Sequence, residues 1–334
     1  MNSQPDSANP PVHDGAPAAD THGGDALDFW DVKSVVQELA DIRRNWRDLN
    51  THHAEYGVES FPSRLRLSKV TDELCGALFP LRLGPDFVRL HNEDTFVTQT
   101  LQIALSRLHA QLRLELTYAS GAGDRHEVDA DASRIVLSLS RQLPDIRRLL
   151  DIDIEAAFRG DPSARSLDEV LICYPGLLAI IHHRLAHALH LAGAPLVARI
   201  ISEISHSRTG IDIHPGAQIG QGFFIDHGTG VVIGETAIIG DNVRIYQGVT
   251  LGAKNFPLGP TGALVKSLPR HPVIENSVVI YAGATILGRV TIGAGSEIGG
   301  NVWLTHDVPA FSRVYQAREQ NLVIRPNGES SREN

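Results

Sequence analysis

Seven charged or histidine side chains in the second half of the chain have the types needed for acid–base chemistry. They are Asp212, His214, Asp226, His227, Glu235, Arg270 and His271. A carboxylate beside an imidazole fixes the tautomer of the ring and raises its basicity, which makes a general base near neutral pH. An alcohol is a weak acid and needs such a base. Arg270 followed by His271 is well suited to holding a substrate carboxylate.

The residues around these candidates follow a repeat of six. Its aliphatic anchors are Ile213, Ile219, Ile225, Ile233, Ile239, Ile245 and Leu251, and then Ile274, Ile280, Ile286, Ile292, Ile298 and Leu304. A period of six fits neither an amphipathic helix nor a two-faced strand. It indicates a parallel β-helix, in which three hexads close one coil. Each anchor then stacks on the anchor one coil above, about 4.8 Å away. The alternative is an ordinary all-β domain with chance spacing.

The repeat is interrupted twice, and candidate residues lie at both interruptions. Two extra residues enter between the third and fourth anchors, where Asp226 and His227 stand. After the seventh anchor the periodicity stops for about twenty residues, so residues 253–272 are predicted to leave the coil and return at Arg270 and His271. Long insertions in a compact scaffold are usually either functional or disordered.

Asp212 and His227 are fifteen residues apart, whereas one coil has eighteen. They are therefore predicted to lie on neighbouring coils within side-chain reach, as an orienting carboxylate and a general base. A surface ion pair without catalytic function is the alternative.

Composition excludes several classes. The net charge of −9 and the absence of a basic run argue against a nucleic-acid-binding protein. Cys75 and Cys173 lie far apart without a metal-binding spacing, so reduced thiols in the cytoplasm are expected. No apolar run reaches the ~18 residues needed to cross a membrane, and no membrane partner is expected.

The chain is predicted to have a disordered leader at residues 1–28, an α-helical domain at 29–205, a β-helix domain at 206–308 and a tail at 309–334. The leader is rich in Asp, Ala, Pro and Gly and lacks the features of a signal or transit peptide. Helices are predicted from about residue 29, capped by Asp28, and near 63–79, 94–116, 129–143, 145–158, 177–191 and 195–205, with a break at Pro144.

The helix predicted at 177–191 carries four histidines, of which His183 and His187 are four residues apart. This spacing is compatible with metal chelation from one helix face. Without a third ligand in register, the histidines are interpreted as partly buried helix residues, and no metal is expected.

Five segments resemble the serine O-acetyltransferase family in the same order. They are Asp212-Ile213-His214-Pro215, Asp226-His227-Gly228-Thr229-Gly230, Val232-Ile233-Gly234-Glu235-Thr236, Gly248-Val249-Thr250-Leu251-Gly252 and Arg270-His271-Pro272. The resemblance runs from Asp161 to about Val314, and the longer insertion is similar to that of longer-loop bacterial members. Other hexapeptide acyltransferases share the repeat but not this series.

The resemblance implies an α+β fold, with an α-helical domain followed by a left-handed parallel β-helix. It implies acetyl transfer from acetyl-coenzyme A to the hydroxyl of L-serine, giving O-acetyl-L-serine for cysteine biosynthesis. Serine attacks the thioester directly in a ternary complex, so no enzyme nucleophile is needed. Family members form homotrimers or dimers of trimers.

The resemblance also implies roles for individual residues. His227 matches the general base and Asp212 the carboxylate that orients it. Asp161 and Asp226 match the acids that hold the serine ammonium, and Asp161 is expected to reach the site of a neighbouring subunit. Arg270 and His271 match the pair that holds the serine carboxylate and hydroxyl. Glu235 matches a motif acid without an assigned role.

Small residues are expected to line the groove for coenzyme A. They are Ala253, Ala282, Gly283, Gly299 and Gly300. Many relatives end in an isoleucine that inserts into O-acetylserine sulfhydrylase, whereas this chain ends in Asn334, so we do not expect a stable complex of that kind. Three other functions stay open: an acetyltransferase acting on another small alcohol, a zinc-dependent carbonic anhydrase on the same coil, and a non-catalytic scaffold.

Overall fold

The computed structural model describes residues 31–49, 61–120, 124–255, 264–265, 268–316, 322–324 and 330–332. The chain divides into two compact units, Met1–Val58 and Glu59–Asn334. The leader predicted for residues 1–28, the Asp28 cap and half of the predicted loop (256–263 and 266–267) lie outside the described residues. The predicted domain boundary after residue 205 stays a prediction. In the second unit, the buried apolar residues of the helices and of the coils form one continuous cluster.

The helices are α1 (Val32–Leu49), α2 (Arg64–Leu78), α3 (Pro80–Leu83), α4 (Glu93–Ser120), α5 (Arg125–Gly160), α6 (Leu167–Cys173), α7 (Pro175–Leu191) and α8 (Pro195–Thr209). Their ends carry the expected signals. Ser63 and Ser166 cap α2 and α6 through their hydroxyls, and Gly210 ends α8 in the left-handed conformation with φ +70°. No single described helix has the length and apolar composition to cross a membrane, although α6 and α7 meet those criteria as a pair bent by 74°.

The prediction of two helices separated at Pro144 is wrong. One helix, α5, runs through this proline for 36 residues. A proline inside a helix removes one backbone hydrogen bond and crowds the preceding turn. The buried stripe of Leu139, Leu143, Ile146 and Leu150 continues across the proline, so packing of this stripe outweighs the local cost.

The described residues of the second half of the chain form short strands of two or three residues. They are β1 (Asp212–Ile213), β2 (Gln218–Ile219), β3 (Phe224–Ile225), β4 (Val232–Ile233), β5 (Ile238–Ile239), β6 (Arg244–Ile245), β7 (Thr250–Gly252), β8 (Val273–Ile274), β9 (Val279–Ile280), β10 (Thr285–Leu287), β11 (Thr291–Ile292), β12 (Glu297–Ile298), β13 (Trp303–Leu304), β14 (Arg313–Val314), β15 (Leu322–Ile324) and β16 (Ser330–Arg332). The last two pair antiparallel with each other.

The first fourteen strands form three parallel sheets. Sheet A has the order β1-β4-β7-β10-β13, sheet B has β11-β8-β5-β2, and sheet C has β14-β12-β9-β6-β3. Every predicted anchor ends or lies within one of these strands. From β1 to β13, successive strands of the chain belong to sheets A, B and C in turn, and β14 then joins sheet C. This is the predicted left-handed parallel β-helix behind a helical region, so the fold class is confirmed.

The two interruptions of the repeat appear in the strand register. Ile233 pairs with Leu251, which is eighteen residues later, but Ile213 pairs with Ile233, which is twenty residues later. The two extra residues therefore leave the coil between sheets C and A. The insertion does the same between sheets A and B, because Ile239 pairs with Ile274 across it. We call these corners the CA edge and the AB edge.

Candidate active site

His227 projects from the CA edge, where the two extra residues bulge out of the coil. Its backbone has φ +58°, a left-handed conformation that is uncommon for residues other than glycine. Its side chain is 71% exposed, and Nδ1 lies 3.5 Å from Oδ1 of Asp226, which is only 12% exposed. The bulge thus presents an accessible imidazole beside a largely buried carboxylate.

Arg244 on sheet C contacts both Asp226 and two aromatic rings. Its Nη2 lies 3.4 Å from Oδ2 of Asp226, and its guanidinium lies over the rings of Phe224 and Tyr246. Sequence reasoning missed this contact. Counting coils of eighteen residues sets Arg244 directly above Asp226, but the insertion shifts the register so that it pairs with Phe224 and reaches Asp226 diagonally.

Asp161 lies at the end of α5, close to the same part of sheet C. A Cβ on the preceding Gly160 would contact the Phe224 ring and lie 3.7 Å from Nη1 of Arg244. Asp161 therefore lies near the Asp226 corner of its own chain, and its expected reach into the site of a neighbouring subunit stays a prediction.

The carboxylate of Asp161 is held in its ionised form. It accepts a 2.5 Å hydrogen bond from the Tyr174 hydroxyl and a 2.7 Å bond from the Ser163 hydroxyl, and these two bonds lower the pKa of Asp161. Burial, together with this bond, raises the pKa of Tyr174 to about 12, so its hydroxyl stays a donor. An ionised carboxylate of this kind is suited to binding a cation.

Asp212 is not joined to His227 in the single chain. Among the described residues, no hydrogen bond or ion pair connects the two. The carboxylate of Asp212 instead lies with Glu203 and His206 of α8, with one ligand atom from each within 4.8 Å of the others. In the described part of the chain this is the group whose spacing would suit a metal ion, but Glu203 is already paired with Arg199 at 2.6 Å.

Arg270, His271 and Glu235 lie together on the AB edge. Nη2 of Arg270 donates to Oε2 of Glu235 at 2.5 Å. Burial would raise the pKa of Glu235, but the hydrogen bond and charge of Arg270 outweigh it and the pKa is lowered. Arg289 donates to the carbonyls of Thr236 and His271 at 2.7 and 3.0 Å, which ties the end of the insertion to the coil.

The hydrogen bonds of His271 define its tautomer. Its Nδ1 accepts from the backbone N–H of Thr236 at 3.1 Å, so Nδ1 carries no hydrogen and the neutral ring carries its hydrogen on Nε2. The Thr236 hydroxyl oxygen accepts hydrogen bonds from the backbone N–H groups of Arg270 and His271. Its own hydrogen is then directed to Nδ1 of His271. Burial, reinforced by the Arg270 charge, lowers the pKa of His271 to about 4. At neutral pH it is therefore an uncharged N–H donor.

His214 is one coil below on the same edge. Its Nδ1 accepts from the backbone N–H of Gly216 at 3.0 Å. Burial first, and then Arg199, lower its pKa to about 4. The ring contacts His190 edge-on at 6.0 Å, and His183 and His187 stack at 5.6 Å. His182 and His183 of α7 are buried and His187 and His190 are half-buried, which agrees with the interpretation of these histidines as partly buried helix residues.

The glycine at position 234 makes room for His271. A Cβ there would overlap the Cδ2 and Nε2 atoms of the His271 ring. Replacing Gly234 by alanine is therefore expected to displace the imidazole, and a shift of that size lowers catalytic efficiency by about 10²-fold. The measurement is kcat/KM for the acceptor substrate. Gly76→Ala is the control, because its Cβ would lie an ordinary 3.5 Å from the Leu83 carbonyl. Equal activities of the two variants would contradict this role of Gly234.

The small residues expected to line the coenzyme groove divide between the edges. Four of them lie on the CA edge after β9 and β12, namely Ala282, Gly283, Gly299 and Gly300. A column of glycines from successive coils lies on the same edge, formed by Gly230, Gly248 and Gly283. A Cβ added to Gly230 or Gly248 would lie 3.7 or 3.5 Å from the next glycine of the column. Ala253 lies on the AB edge after β7. One chain therefore does not gather all five.

The structure thus divides the candidates into two groups. Asp161, Asp226 and His227 lie at the CA edge, and Glu235, Arg270 and His271 lie at the AB edge. The first group offers a base and anionic acceptors, and the second offers a guanidinium and a neutral imidazole donor. Together these groups match a small substrate that has an ammonium, a carboxylate and a hydroxyl.

The chain is similar in sequence to a family of repeat-containing transferases and to several characterised enzymes. The family model described as bacterial transferase hexapeptide (six repeats) matches residues 271–306. The plasmid serine acetyltransferase of Synechococcus elongatus is 50% identical over 294 residues, which cover 86% of this chain and 92% of that protein. The serine acetyltransferase of Bacillus subtilis is 50% identical over 167 residues, or 50% of this chain and 73% of the relative.

Solved structures agree with the sequence relatives. The crystal structure of serine acetyltransferase isoform 3 from Entamoeba histolytica, in complex with cysteine, has a TM-score of 0.66 and 36% identity, and covers 78% of this chain and 84% of that one. Serine acetyltransferase 1 of the same organism, in complex with L-cysteine, has a TM-score of 0.64 and 38% identity, with coverage of 74% and 86%. The identity to the Synechococcus enzyme extends over nearly its whole length, and this chain belongs to the serine O-acetyltransferase family.

Proposed function

We propose that this chain transfers the acetyl group of acetyl-coenzyme A to the hydroxyl of L-serine, producing O-acetyl-L-serine and coenzyme A for cysteine biosynthesis. The observation that carries the proposal is the 50% identity to a serine acetyltransferase across 92% of that protein's length. The chemistry of the two edges supports it independently, because they supply one group for each functional group of serine.

His227 acts as the general base. It accepts the hydroxyl proton of serine while the serine oxygen attacks the thioester carbonyl of acetyl-coenzyme A. Collapse of the tetrahedral intermediate breaks the carbon–sulfur bond, and the imidazolium returns the proton to the departing thiolate. His227 is therefore neutral again at the end of the reaction, and no covalent enzyme intermediate is required.

Asp161 and Asp226 bind the serine ammonium. Both carboxylates approach Arg244, so the negative charge of this pocket is partly balanced in the free enzyme. Arg270 binds the serine carboxylate, and the N–H donor of His271 orients the serine hydroxyl toward His227. Glu235 holds the Arg270 guanidinium at 2.5 Å and thereby limits its rotamers.

The two groups of residues are brought together by trimerisation. They lie on different edges of one prism, so the CA edge of one copy has to face the AB edge of the next for a complete site to form. A homotrimer offers three such junctions. The coenzyme then lies along the junction, between the CA-edge glycines of one copy and Ala253 of its neighbour.

The orienting carboxylate for His227 has two candidates. Asp226 lies 3.5 Å from the imidazole in the same chain, and Asp212, assigned by the family resemblance, requires the junction to bring it near. We retain Asp212 in this role, with Asp226 on the substrate ammonium. A cytoplasmic location is part of the proposal, and the free thiols of Cys75 and Cys173 suit a reducing compartment.

Coenzyme A release from acetyl-coenzyme A, measured with a panel of acceptors, tests the proposed reaction. The panel contains L-serine, L-threonine, L-homoserine and a sugar alcohol. Release that depends on serine supports the proposal. Release with another alcohol but not with serine would keep the fold and change the substrate, and no release with any acceptor would favour a non-catalytic scaffold.

Arg270→Ala is expected to raise KM for serine by roughly one to two orders of magnitude, because a hydrogen bond to a charged group contributes about 1.5–3 kcal/mol. Initial rates at varied serine and saturating acetyl-coenzyme A give this value. The KM for acetyl-coenzyme A should change much less. Arg313→Ala is the control, since Arg313 is 68% exposed and its ion pair in the described part of the chain is with Glu297. An unchanged KM for serine in Arg270→Ala would remove Arg270 from the substrate site.

A further inference from the structure

Helix α1 has an apolar seam of exposed side chains along one of its faces. The seam consists of Val32, Val35, Leu39, Ile42, Trp46 and Leu49, each between 36% and 84% exposed. None of the 18 residues of α1 is buried. Burying such a stripe is the usual source of stability for an amphipathic helix, because isolated helices of this length are marginal in water.

The spacing of the seam is that of a coiled coil. Its residues alternate three and four positions apart, which is the a/d pattern of the heptad repeat, with Val32, Leu39 and Trp46 at a and Val35, Ile42 and Leu49 at d. Two side-chain hydrogen bonds lie on the opposite side of α1, where Asp41 accepts from Gln37 and Arg44. The seam is therefore a continuous apolar stripe with a polar back.

The flanking charges select the partner and its direction. Glu38 falls at a g position and Arg43 at the following e position, and in a parallel coiled coil these two positions meet across the interface with opposite charges. An antiparallel pairing sets g beside g and e beside e, which offers no such ion pair. Among the described residues, neither side chain has an ion pair within its own chain.

The residue types favour three strands rather than two. Leucine at a with isoleucine at d shifts coiled coils toward trimers and tetramers, and Leu39 and Ile42 form that combination in the middle of the seam. A membrane surface is a poorer occupant. Interfacial helices carry a predominantly basic polar face, whereas α1 has four basic and three acidic side chains.

We propose that α1 forms a parallel, in-register, three-stranded coiled coil with α1 of two other copies of this chain. The seam has only two and a half heptads. The coiled coil therefore forms only at the high effective concentration of α1 that results when the β-helices of three copies associate. The bundle in turn stabilises the trimer against dissociation. This inference concerns assembly, and its outcome does not depend on which acceptor the enzyme acetylates.

Disulfide trapping tests the arrangement in the full chain. Cys173 is replaced by serine, because it is the exposed native thiol, whereas Cys75 is buried. In this background Val35→Cys places thiols on the seam near one end of α1, and Gln37→Cys places them on the polar back. Parallel strands bring the Val35 positions together, whereas antiparallel strands separate them by most of the helix length.

Under mild oxidation, Val35→Cys is expected to give a covalent dimer containing about two thirds of the chain, because a three-stranded bundle can link only two of its three thiols. Gln37→Cys should give little dimer. Adding Leu39→Glu with Ile42→Glu to Val35→Cys should abolish the dimer, whereas adding Ser34→Glu with Gln37→Glu should leave it. Equal cross-linking of Val35→Cys and Gln37→Cys would overturn the proposal, and nearly complete cross-linking would exclude three strands.

Discussion

Replacing His227 by asparagine is expected to lower kcat for acetyl transfer by about 10²–10⁴-fold, the usual contribution of a positioned general base. Asparagine is the informative replacement because His227 has φ +58°, a conformation that asparagine adopts more readily than alanine. The loss of activity would then report the missing imidazole rather than a distorted bulge. KM for serine should change far less than kcat.

Two controls make the His227 result interpretable. His306→Ala removes an exposed histidine from the same β-helix and should retain full activity. The pH dependence of kcat provides the second control, because the limb that reflects base ionisation should disappear in His227→Asn. A variant that keeps its rate within a few-fold of the parent, with an unchanged pH profile, would exclude His227 as the base.

The variant Asp153→Ala is expected to lower the free energy of unfolding by about 3–5 kcal/mol, because it leaves a buried arginine without its counter-ion. Asp153 is fully buried, and Arg184 donates to both of its carboxylate oxygens, at 2.7 and 3.0 Å. Burial raises the pKa of Asp153, and the charge of Arg184 opposes that shift. Urea denaturation at fixed protein concentration measures the loss.

This pair also positions the active site. Asp153 accepts from the backbone N–H of Phe223 at 3.0 Å, and Arg184 donates to the carbonyl of Gly220 at 2.8 Å. The pair therefore attaches α5 and α7 to the first coil, and Asp161, the residue that follows the last residue of α5, is eight positions after Asp153. Asp153→Ala should raise KM for serine as well as reduce stability, because the position of Asp161 depends on this attachment.

A double-mutant cycle separates the ion pair from general disruption. Replacing Asp153 by leucine and Arg184 by methionine together should cost less than the sum of the two single replacements, because neither charge is left unpaired. The carbonyl and N–H groups of the first coil would still lose their partners, so some loss remains. Strict additivity of the two single effects would show that the pair does not act as a unit.

Most of the architecture could be predicted from the amino-acid sequence. The six-residue period predicted the anchors of the first thirteen strands, because only that period returns an aliphatic residue to the interior once per side of the prism. Val314 of β14 pairs with Ile298 but lies outside the predicted series. The interruption before Ile233 and the insertion before Val273 were visible for the same reason. The one clear error, the break at Pro144, arose because local proline chemistry was weighed without the tertiary packing that carries α5 across it.

The types of the site residues were likewise readable from the sequence, but their grouping was not. Periodicity specifies which residues face outward, whereas the direction of a side chain depends on rotamers and on neighbours distant in the chain. It could not show that Asp212 faces α8, that Arg244 reaches Asp226, or that Asp153 and Arg184 meet in the interior. The sequence alone determined the coil and the chemical groups it bears; the tertiary structure decided which groups share an edge, because those contacts join elements that no local pattern relates.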